Sequence, residues 1–170
     1  MRTSFHKYSG LAQRVLFFGR YEATQVGGVS IDTEHILLGI MREQPKLLNQ
    51  WAILESGLKE EIKARQALGQ GKVAINIPLS GQTERALAEA ELVRESLGHK
   101  VIYPIHLLYG LLKIEVGLGY EVLQEYGLSV AGVEAALGRE YEEQEVAAQK
   151  GIVAKVGQKL KEIFQPSSNV

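Results

Sequence analysis

The 170-residue chain has no cysteine, which excludes disulfide bonds, thiolate metal sites and a thiol nucleophile. It also has no excess of one charge. Its formal net charge is −1, so no overall field attracts nucleic acid or an anionic membrane, and we expect no nucleic-acid partner. Prolines number only four. Long proline-free stretches and scarce alternating β-branched runs favour helices over strands.

Long hydrophobic runs are absent as well. No apolar run reaches the roughly 18 residues that a membrane span requires, and the N-terminus lacks the apolar segment of a secretory signal. These absences predict a cytoplasmic protein with no membrane span. The length fits one domain, or one domain with a tail, and the hydrophobic fraction of 45% is ordinary for a globular protein.

The sequence contains an internal repeat. Residues 9–39 align without a gap to residues 80–110 at an offset of 71 positions, with nine identical pairs in 31 positions. At average residue usage, chance identity is roughly 6–7% per position. The observed identity is several times higher than that. The chain therefore contains two copies of one structural unit. The identical pairs are Ser9/Ser80, Gly10/Gly81, Arg14/Arg85, Leu16/Leu87, Gly27/Gly98, Ile31/Ile102, His35/His106, Leu37/Leu108 and Gly39/Gly110.

Each copy predicts a helix, a short loop and a second helix. Ser9 and Ser80 suit the N-cap position, where a hydroxyl accepts hydrogen bonds from the free N–H groups of the first turn. Gly27 and Gly98 suit the left-handed residue that follows a helix. The second helix of each copy is expected to start at one of two equivalent dipeptides, Asp32-Thr33 and Tyr103-Pro104.

Two further helices are expected in each copy. The shorter ones are placed at residues 47–55 and 120–126, each ended by a glycine, Gly57 or Gly127. A fourth helix follows at residues 58–68 and from Ser129 onward. The predicted fold class is all-α, with two pseudo-twofold-related four-helix repeats and a C-terminal helical tail. The predicted domains are a double repeat over residues 1–138 (repeat one about 8–68, linker 69–79, repeat two about 80–138) and a charged amphipathic tail over residues 139–170.

The tail has an acidic stretch followed by a basic one. Apolar residues recur through it at helical spacing, namely Ile152, Val156, Leu160 and Ile163 with Phe164. Such a helix can lie on anionic lipid, dock on another protein, or fold back on its own domain. We favour docking to protein, its own or a partner's, because a short isolated helix is marginal in water.

Both copies resemble the Clp N-terminal repeat, which occurs twice in the N-domains of the ClpA and ClpC unfoldases. The resemblance covers about residues 8–138. It is carried by residues 12–16 (AQRVL), Gly27 and residues 31–39 (IDTEHILLG), and in the second copy by residues 97–99 (LGH), Ile102 and residues 106–108 (HLL). It implies a domain that docks substrates or adaptors of an AAA+ protease and, in ClpC-type members, binds phosphoarginine-tagged proteins.

The resemblance also implies candidate partner-binding residues. In the family, the glutamate of the Thr-Glu-His string in each repeat contacts the tag, and Glu34 matches it here, beside Thr33. In the second copy Ile105 stands at that position, so one of the two tag sites lacks its carboxylate. Arg14 is a candidate ion-pair partner of Glu34. Cationic groups of a partner protein are the other candidates. The alternative, which we favour, is a solvated carboxylate stabilised by the positive end of its helix.

His35 and His106 are equivalent by the repeat and complete the candidate set. As functional groups they would be ligands or proton carriers; as structural groups they would form hydrogen bonds locally in the first turn of a helix. We favour the structural interpretation, because no HExxH motif accompanies them and Asp32 is the only aspartate of the chain.

No catalytic constellation is recognisable, so we expect no enzyme activity, no cofactor and no metal. A P-loop requires Gly-x-x-x-x-Gly-Lys-Ser/Thr, whereas residues 69–73 (GQGKV) have the wrong spacing and no hydroxyl. Ser129, in GLSVA, lacks the preceding strand of a nucleophile elbow and suits an N-cap instead. A set of aromatic residues is expected in the core rather than on a binding surface: Phe17, Phe18, Tyr21 and Trp51.

The expected function is a protein-binding module that docks adaptors or substrates for a Clp unfoldase–protease system, as a monomer or weak dimer. The alternative is a free-standing Clp-repeat protein that regulates another complex outside proteolysis. The missing P-loop leaves two origins open, an N-domain of a longer chain or a free-standing protein. The unusual tail favours the second.

Overall fold

A computed structural model describes residues 5–66 and 76–164. Within these ranges the chain forms eight α-helices and no β-strand, which confirms the predicted all-α class. A short 3₁₀ turn, Phe5–Lys7, precedes them. The helices are α1 (Gly10–Gln25), α2 (Thr33–Glu43), α3 (Pro45–Asn49), α4 (Glu55–Arg65), α5 (Gly81–Ser96), α6 (Pro104–Lys113), α7 (Leu118–Glu125) and α8 (Val130–Phe164).

The first helix of each repeat is capped as predicted. Ser9 Oγ accepts a hydrogen bond from the backbone N–H of Ala12 at 3.2 Å, and Ser80 Oγ accepts one from Thr83 at 3.3 Å. A glycine in the left-handed region follows each helix, Gly27 with a φ of 66° and Gly98 with a φ of 67°. The serine at the start of the helix and the glycine after its end therefore have the same capping role in both repeats.

Each repeat packs its first helix closely against its second at a glycine. Gly39 of α2 lies against the backbone carbonyl of Val15 in α1, and Gly110 of α6 lies against that of Ala86 in α5. A Cβ atom at either glycine would overlap the carbonyl oxygen, so the close approach of the two helices requires glycine there. The same residue type thus sets the same helix packing in both copies.

The two repeats are joined by a reciprocal pair of backbone bridges. Tyr8, at the start of the first repeat, pairs with Ile102 of the second, and Leu79, the residue just before the second repeat, pairs with Ile31 of the first. Each bridge is held by two N–H···O=C bonds, with N···O distances of 2.7 to 3.0 Å. Adding 71 to Tyr8 and Ile31 gives Leu79 and Ile102, so each bridge maps onto the other when the two repeats are interchanged. A pseudo-twofold axis produces this relation.

The second helix of each repeat lies at the centre of the fold. Residues 33–41 of α2 and 104–112 of α6 are buried, including the equivalent leucines Leu37 and Leu108, which are completely inaccessible. These two helices also contact each other. The apolar strings around the two repeated histidines therefore form one continuous core that both repeats share.

Two helix boundaries in the first repeat differ from the prediction. The short helix α3 ends at Asn49 rather than at residue 55, and Gly57 lies inside α4. The chain turns instead at Ala52, which has a left-handed φ of 59° and donates its N–H to Asn49 O at 2.9 Å. No glycine marks this turn, so residue pattern alone could not reveal it. In the second repeat Gly127 follows α7 with a φ of 78°, as predicted.

The last helix, α8, is one continuous element of 35 residues, about 52 Å long at 1.5 Å per residue. It starts after Ser129, whose Oγ accepts from the N–H of Gly132 at 3.2 Å, as expected of an N-cap. It passes the predicted boundary between the double repeat and the tail, at residues 138 and 139, without interruption. Residues 69–75 of the predicted linker, and the side chains of Ile163 and Phe164, lie outside the described parts. No helix in the described ranges is long and apolar enough to cross a membrane.

Candidate protein-binding site

The start of the second helix is built in the same way in both repeats. His35 Nδ1 accepts a hydrogen bond from the backbone N–H of Asp32 at 2.9 Å, and His106 Nδ1 accepts one from Tyr103 at 2.9 Å. Each histidine thereby caps the first turn of its own helix. The local hydrogen bonding predicted for the two histidines is present. Contact of either histidine with a partner protein stays a prediction.

Glu34 lies in the first turn of α2 and is only 8% exposed. Burial raises the pKa of Glu34, and the negative charges of Asp32 and Glu121 raise it further. Thr33 Oγ1 donates to Glu34 Oε2 at 3.4 Å and accepts from the backbone N–H of Gly119 at 3.1 Å. The start of α7 therefore covers this turn. The carboxylate is buried beside the negative charges of Asp32 and Glu121, so the interpretation of Glu34 as a solvated carboxylate is wrong.

In the second repeat the position of Glu34 is taken by Ile105, which is completely buried. His106 Nε2 lies 2.8 Å from His99 Nδ1, and the His99 ring stacks on Tyr141 of α8 with centroids 3.6 Å apart. Because His106 Nδ1 accepts from the backbone, neutral His106 carries its proton on Nε2 and donates it to His99. Burial, with the neighbouring His99 as the second cause, lowers the pKa of His106 to about 3. The two helix starts thus share a cap but differ in chemistry.

Arg14 does not pair with Glu34, so that part of the sequence prediction is wrong. Its Nε and Nη2 atoms donate to Glu43 Oε1 at 2.8 and 2.6 Å. Glu34 and Glu43 lie at opposite ends of α2, nine residues or about 13 Å apart along the helix axis. Arg14 of α1 packs beside the C-terminal end of α2, where Glu43 is within its reach and Glu34 is not.

A groove with a cavity volume of about 630 Å³ runs beside α1. Most of its lining is apolar, and Phe17 is 65% exposed there. The exposed ring and the apolar groove together form a candidate docking surface. The lining residues are Gly10, Gln13, Arg14, Leu16, Phe17, Arg20, Ile31, Ile77 and Leu79.

The exposure of Phe17 corrects the prediction that the aromatic residues lie in the core. Phe17 and Tyr21 are exposed, whereas Phe18 and Trp51 are half-buried. Phe17 stands two positions beyond the buried Val15, about 200° further round the helix, so it points away from the core. The sequence contained a signal for this orientation of α1. Its buried positions recur every three or four residues and are occupied by small side chains or valine: Ala12, Val15, Gly19 and Ala23.

The groove belongs to the first repeat. The counterpart of Phe17 in the second repeat is Ala88, and the counterpart of Arg20 is Glu91, which forms an ion pair with Lys7. Within the described residues, the second repeat therefore lacks both the exposed ring and the second arginine. The two repeats share their core and their caps but differ on the outer faces of α1 and α5.

One group of possible metal ligands occurs in the described residues. Ligand atoms of Asp32, Glu34 and His35 lie within 4.8 Å of one another. His35 Nδ1, however, accepts from the Asp32 N–H, and His35 Nε2 contacts the side-chain amide of Gln66. No ring nitrogen is left for a cation unless Gln66 moves, so the group has the character of a capped helix start.

Two four-helix repeats around one shared core define an all-α double-repeat domain. The profile of the family described as the Clp repeat (R) N-terminal domain matches residues 78–170. The chloroplastic chaperone protein ClpC of Pisum sativum is 31% identical over 130 residues, which is 74% of this chain and 14% of the pea protein. The chaperone protein ClpB of Oceanobacillus iheyensis is 30% identical over 131 residues, 74% of this chain and 16% of that protein.

Solved structures agree in fold. The N-terminal domain of the chaperone ClpD from Arabidopsis thaliana superposes with a TM-score of 0.67 at 23% identity, covering 81% of this chain and 97% of that domain. The Hsp104 N-terminal domain from Candida albicans gives 0.63 at 16% identity, covering 76% and 87%. The chain belongs to the Clp repeat N-terminal domain family, and its homologues are N-terminal regions of ClpC, ClpA and ClpB proteins.

Proposed function

We propose that the chain is a protein-docking module whose groove beside α1 binds an apolar segment of a partner protein. The observation that carries this proposal is Phe17, 65% exposed at a cavity of about 630 Å³. Exposed aromatic residues next to a pocket are the residues that most often anchor protein interfaces. Arg20 lines the same groove, which favours a partner segment with an acidic residue beside its apolar one.

We propose further that the partner is an adaptor or substrate of a Clp unfoldase–protease system. The homology to N-terminal regions of ClpC, ClpA and ClpB proteins supports this assignment. The chain spans 14% and 16% of the two relatives described above, so the activity of those whole proteins is a separate matter. Glu34, with Thr33 and His35 beside it, is the proposed contact for a phosphoarginine tag, and His106 occupies the corresponding place in the second repeat.

The second candidate function is regulation of another complex outside proteolysis. The observation that favours it is α8, whose distal half carries exposed apolar residues beyond the double repeat. A docking domain for one protease system does not require such a surface. Interaction at α8 rather than at the groove would therefore be the expected property of a regulator.

Affinity capture with paired variants tests the proposal. Phe17→Ser removes the aromatic anchor, and Val29→Ser removes a residue that is 74% exposed but does not line the groove. Loss of an anchor costs about 2 kcal/mol or more, roughly a thirtyfold loss of affinity. We expect wild type and Val29→Ser to retain Clp ATPase, peptidase, adaptor or substrate proteins from a lysate of the source organism, and Phe17→Ser to lose them.

Two outcomes contradict the proposal. Equal capture of partner proteins by Phe17→Ser and Val29→Ser would show that the groove is not the docking site. Capture of a complex without any Clp component, in a manner that depends on α8, would favour the regulatory function instead.

A further inference from the structure

The distal part of α8 is a helix with an uncovered apolar stripe. Gln144 is the last buried residue along it, and the described side chains from residue 146 to 162 are exposed apart from the half-buried Gly157. Val153 is 71% exposed, and Ile152 is exposed to a similar extent. Most of a helix's stability in proteins comes from tertiary packing of its apolar face, and here that face is left in contact with water.

The stripe lies on the side of α8 that faces away from the double repeat. The residues that pack on the body are Val133, Leu137 and Gln144, which share one face of the helix. At 100° per residue, Val146 and Val153 are rotated by roughly 180° from that face. A straight α8 therefore cannot turn its stripe onto its own domain, and a second helix on the stripe can run along α8 without meeting the body.

The stripe has the spacing of a coiled-coil seam. Val146, Val153 and Leu160 are seven residues apart, and Gln149 and Val156 fill the intervening seam positions, so the steps alternate between three and four residues. A helical seam with a mean period of 3.5 residues packs against another helix of the same period. Gln149 is the one polar residue among these five.

Charge along α8 is divided into two blocks. An acidic block precedes the stripe, with Glu140, Glu142, Glu143 and Glu145, and a basic block spans it, with Lys150, Lys155, Lys159 and Lys161. Two parallel copies would stack acidic block on acidic block and basic block on basic block. Two antiparallel copies would place the acidic block of each beside the basic block of the other, the arrangement that charge complementarity favours.

We propose that residues 146–160 of α8 form a docking surface for a second copy of this chain, and that the two segments pair antiparallel. In an antiparallel helix pair, seam residues of one series pack against seam residues of the other series. Here one series is Val146, Val153 and Leu160, and the other is Gln149 and Val156, which sets the register. Val146 then lies against the partner's Val156, and Gln149 lies against the partner's Val153. In this register Glu145 flanks the partner's Lys159 on both sides of the dimer axis.

An anionic membrane is the less favourable occupant. Glu142 lies on the same side of the helix as the stripe, one turn before Val146, where lipid phosphates would repel it. In the antiparallel pair the same glutamate lies opposite the partner's Leu160, between the partner's Lys159 and Lys161. The acidic turn next to the stripe thus opposes lipid binding and supports self-pairing.

Sedimentation equilibrium of the full chain tests the dimer. We expect the weight-average mass to rise with concentration from 18.8 kDa towards twice that value. Val153→Glu places a charge in the seam and should weaken dimerisation roughly tenfold or more. Gln158→Glu adds the same charge on the opposite face of α8 and should leave dimerisation unchanged. Equal dimerisation of the two variants, or a monomer at every concentration, overturns the proposal.

The orientation is tested by thiol cross-linking, since the chain has no cysteine of its own. Val146→Cys and Val156→Cys chains that carry tags of different mass are mixed under mild oxidation. The antiparallel register predicts mixed dimers and little cross-linking of either variant with itself. Self-linked Val146→Cys dimers would show a parallel pair and overturn the orientation.

A monomer that floats with equimolar phosphatidylserine–phosphatidylcholine vesicles would assign the stripe to lipid. Neither experiment involves Phe17, so failure of the dimer proposal leaves the proposed groove function untouched.

Discussion

The stability of the second repeat should depend on keeping His106 uncharged. The pKa of His106 in the folded protein is about 3, below the value of roughly 6.5 of an exposed histidine, so the unfolded chain binds a proton that the folded chain does not. The stabilising effect is therefore complete above about pH 6.5 and is lost as the pH falls. Protonation of Nδ1 would also break the hydrogen bond from Tyr103 N–H.

The size of the effect follows from linkage. One group of this kind reduces the free energy of unfolding by about 1.4 kcal/mol for each pH unit below its unfolded pKa, or roughly 3 kcal/mol between pH 6.5 and pH 4.5. The charged and titratable groups around His106 are His99, Arg94, Tyr103, Tyr141 and Glu145. Burial also lowers the pKa of His35, and burial raises the pKa of Glu34, so the absolute pH curve combines several groups.

A difference measurement isolates His106. Gln at this position can still accept from the backbone N–H of Tyr103 as the third residue of a capping box, but it does not titrate. Urea unfolding followed by circular dichroism, between about pH 7.5 and 4.5, should show wild type losing stability relative to His106→Gln as the pH falls. If wild type and His106→Gln lose stability in parallel, the neutral histidine pair is not the basis of the pH dependence.

Two further predictions concern the core and the tag site. Leu37→Ala and Leu108→Ala should each destabilise the fold by roughly 2–5 kcal/mol, because both leucines are completely buried, whereas the exposed Leu54→Ala should change the thermal midpoint little. A midpoint for either core variant equal to that of Leu54→Ala would refute the shared core. Titration with free phosphoarginine by calorimetry should show at most one weak site per chain. Glu34→Ala should abolish it, because a lost carboxylate–guanidinium pair costs roughly two to three orders of magnitude in affinity. Two tight sites, or one that survives Glu34→Ala, would show that the resemblance assigns the wrong residues.

Much of the fold was predictable because the chain repeats its local chemistry. Serine caps, left-handed glycines and a histidine at the third position of a helix act within a few residues, so their pattern specifies structure directly. The turn at Ala52 was not predictable, because a left-handed alanine is imposed by packing and carries no mark in the sequence.

The candidate site was less predictable than the fold. A helical wheel of α1 could have placed Phe17 on the outer face, but the groove beside it also needs Ile77 and Leu79, about 60 residues away. The partners of Arg14 and of His99 likewise depend on which helix ends meet in space. Periodicity assigns a residue to a face, and only the packed fold shows what that face meets.

The reciprocal bridges between the repeats have a consequence for any chain that holds a single copy. Each repeat supplies one half of a bridge and receives its other half from its neighbour, so an isolated copy is left with unpaired backbone groups and an open core. Two identical single-copy chains, related by a true twofold axis, would satisfy both. The double repeat thus has within one chain the arrangement that a homodimer of single copies would form.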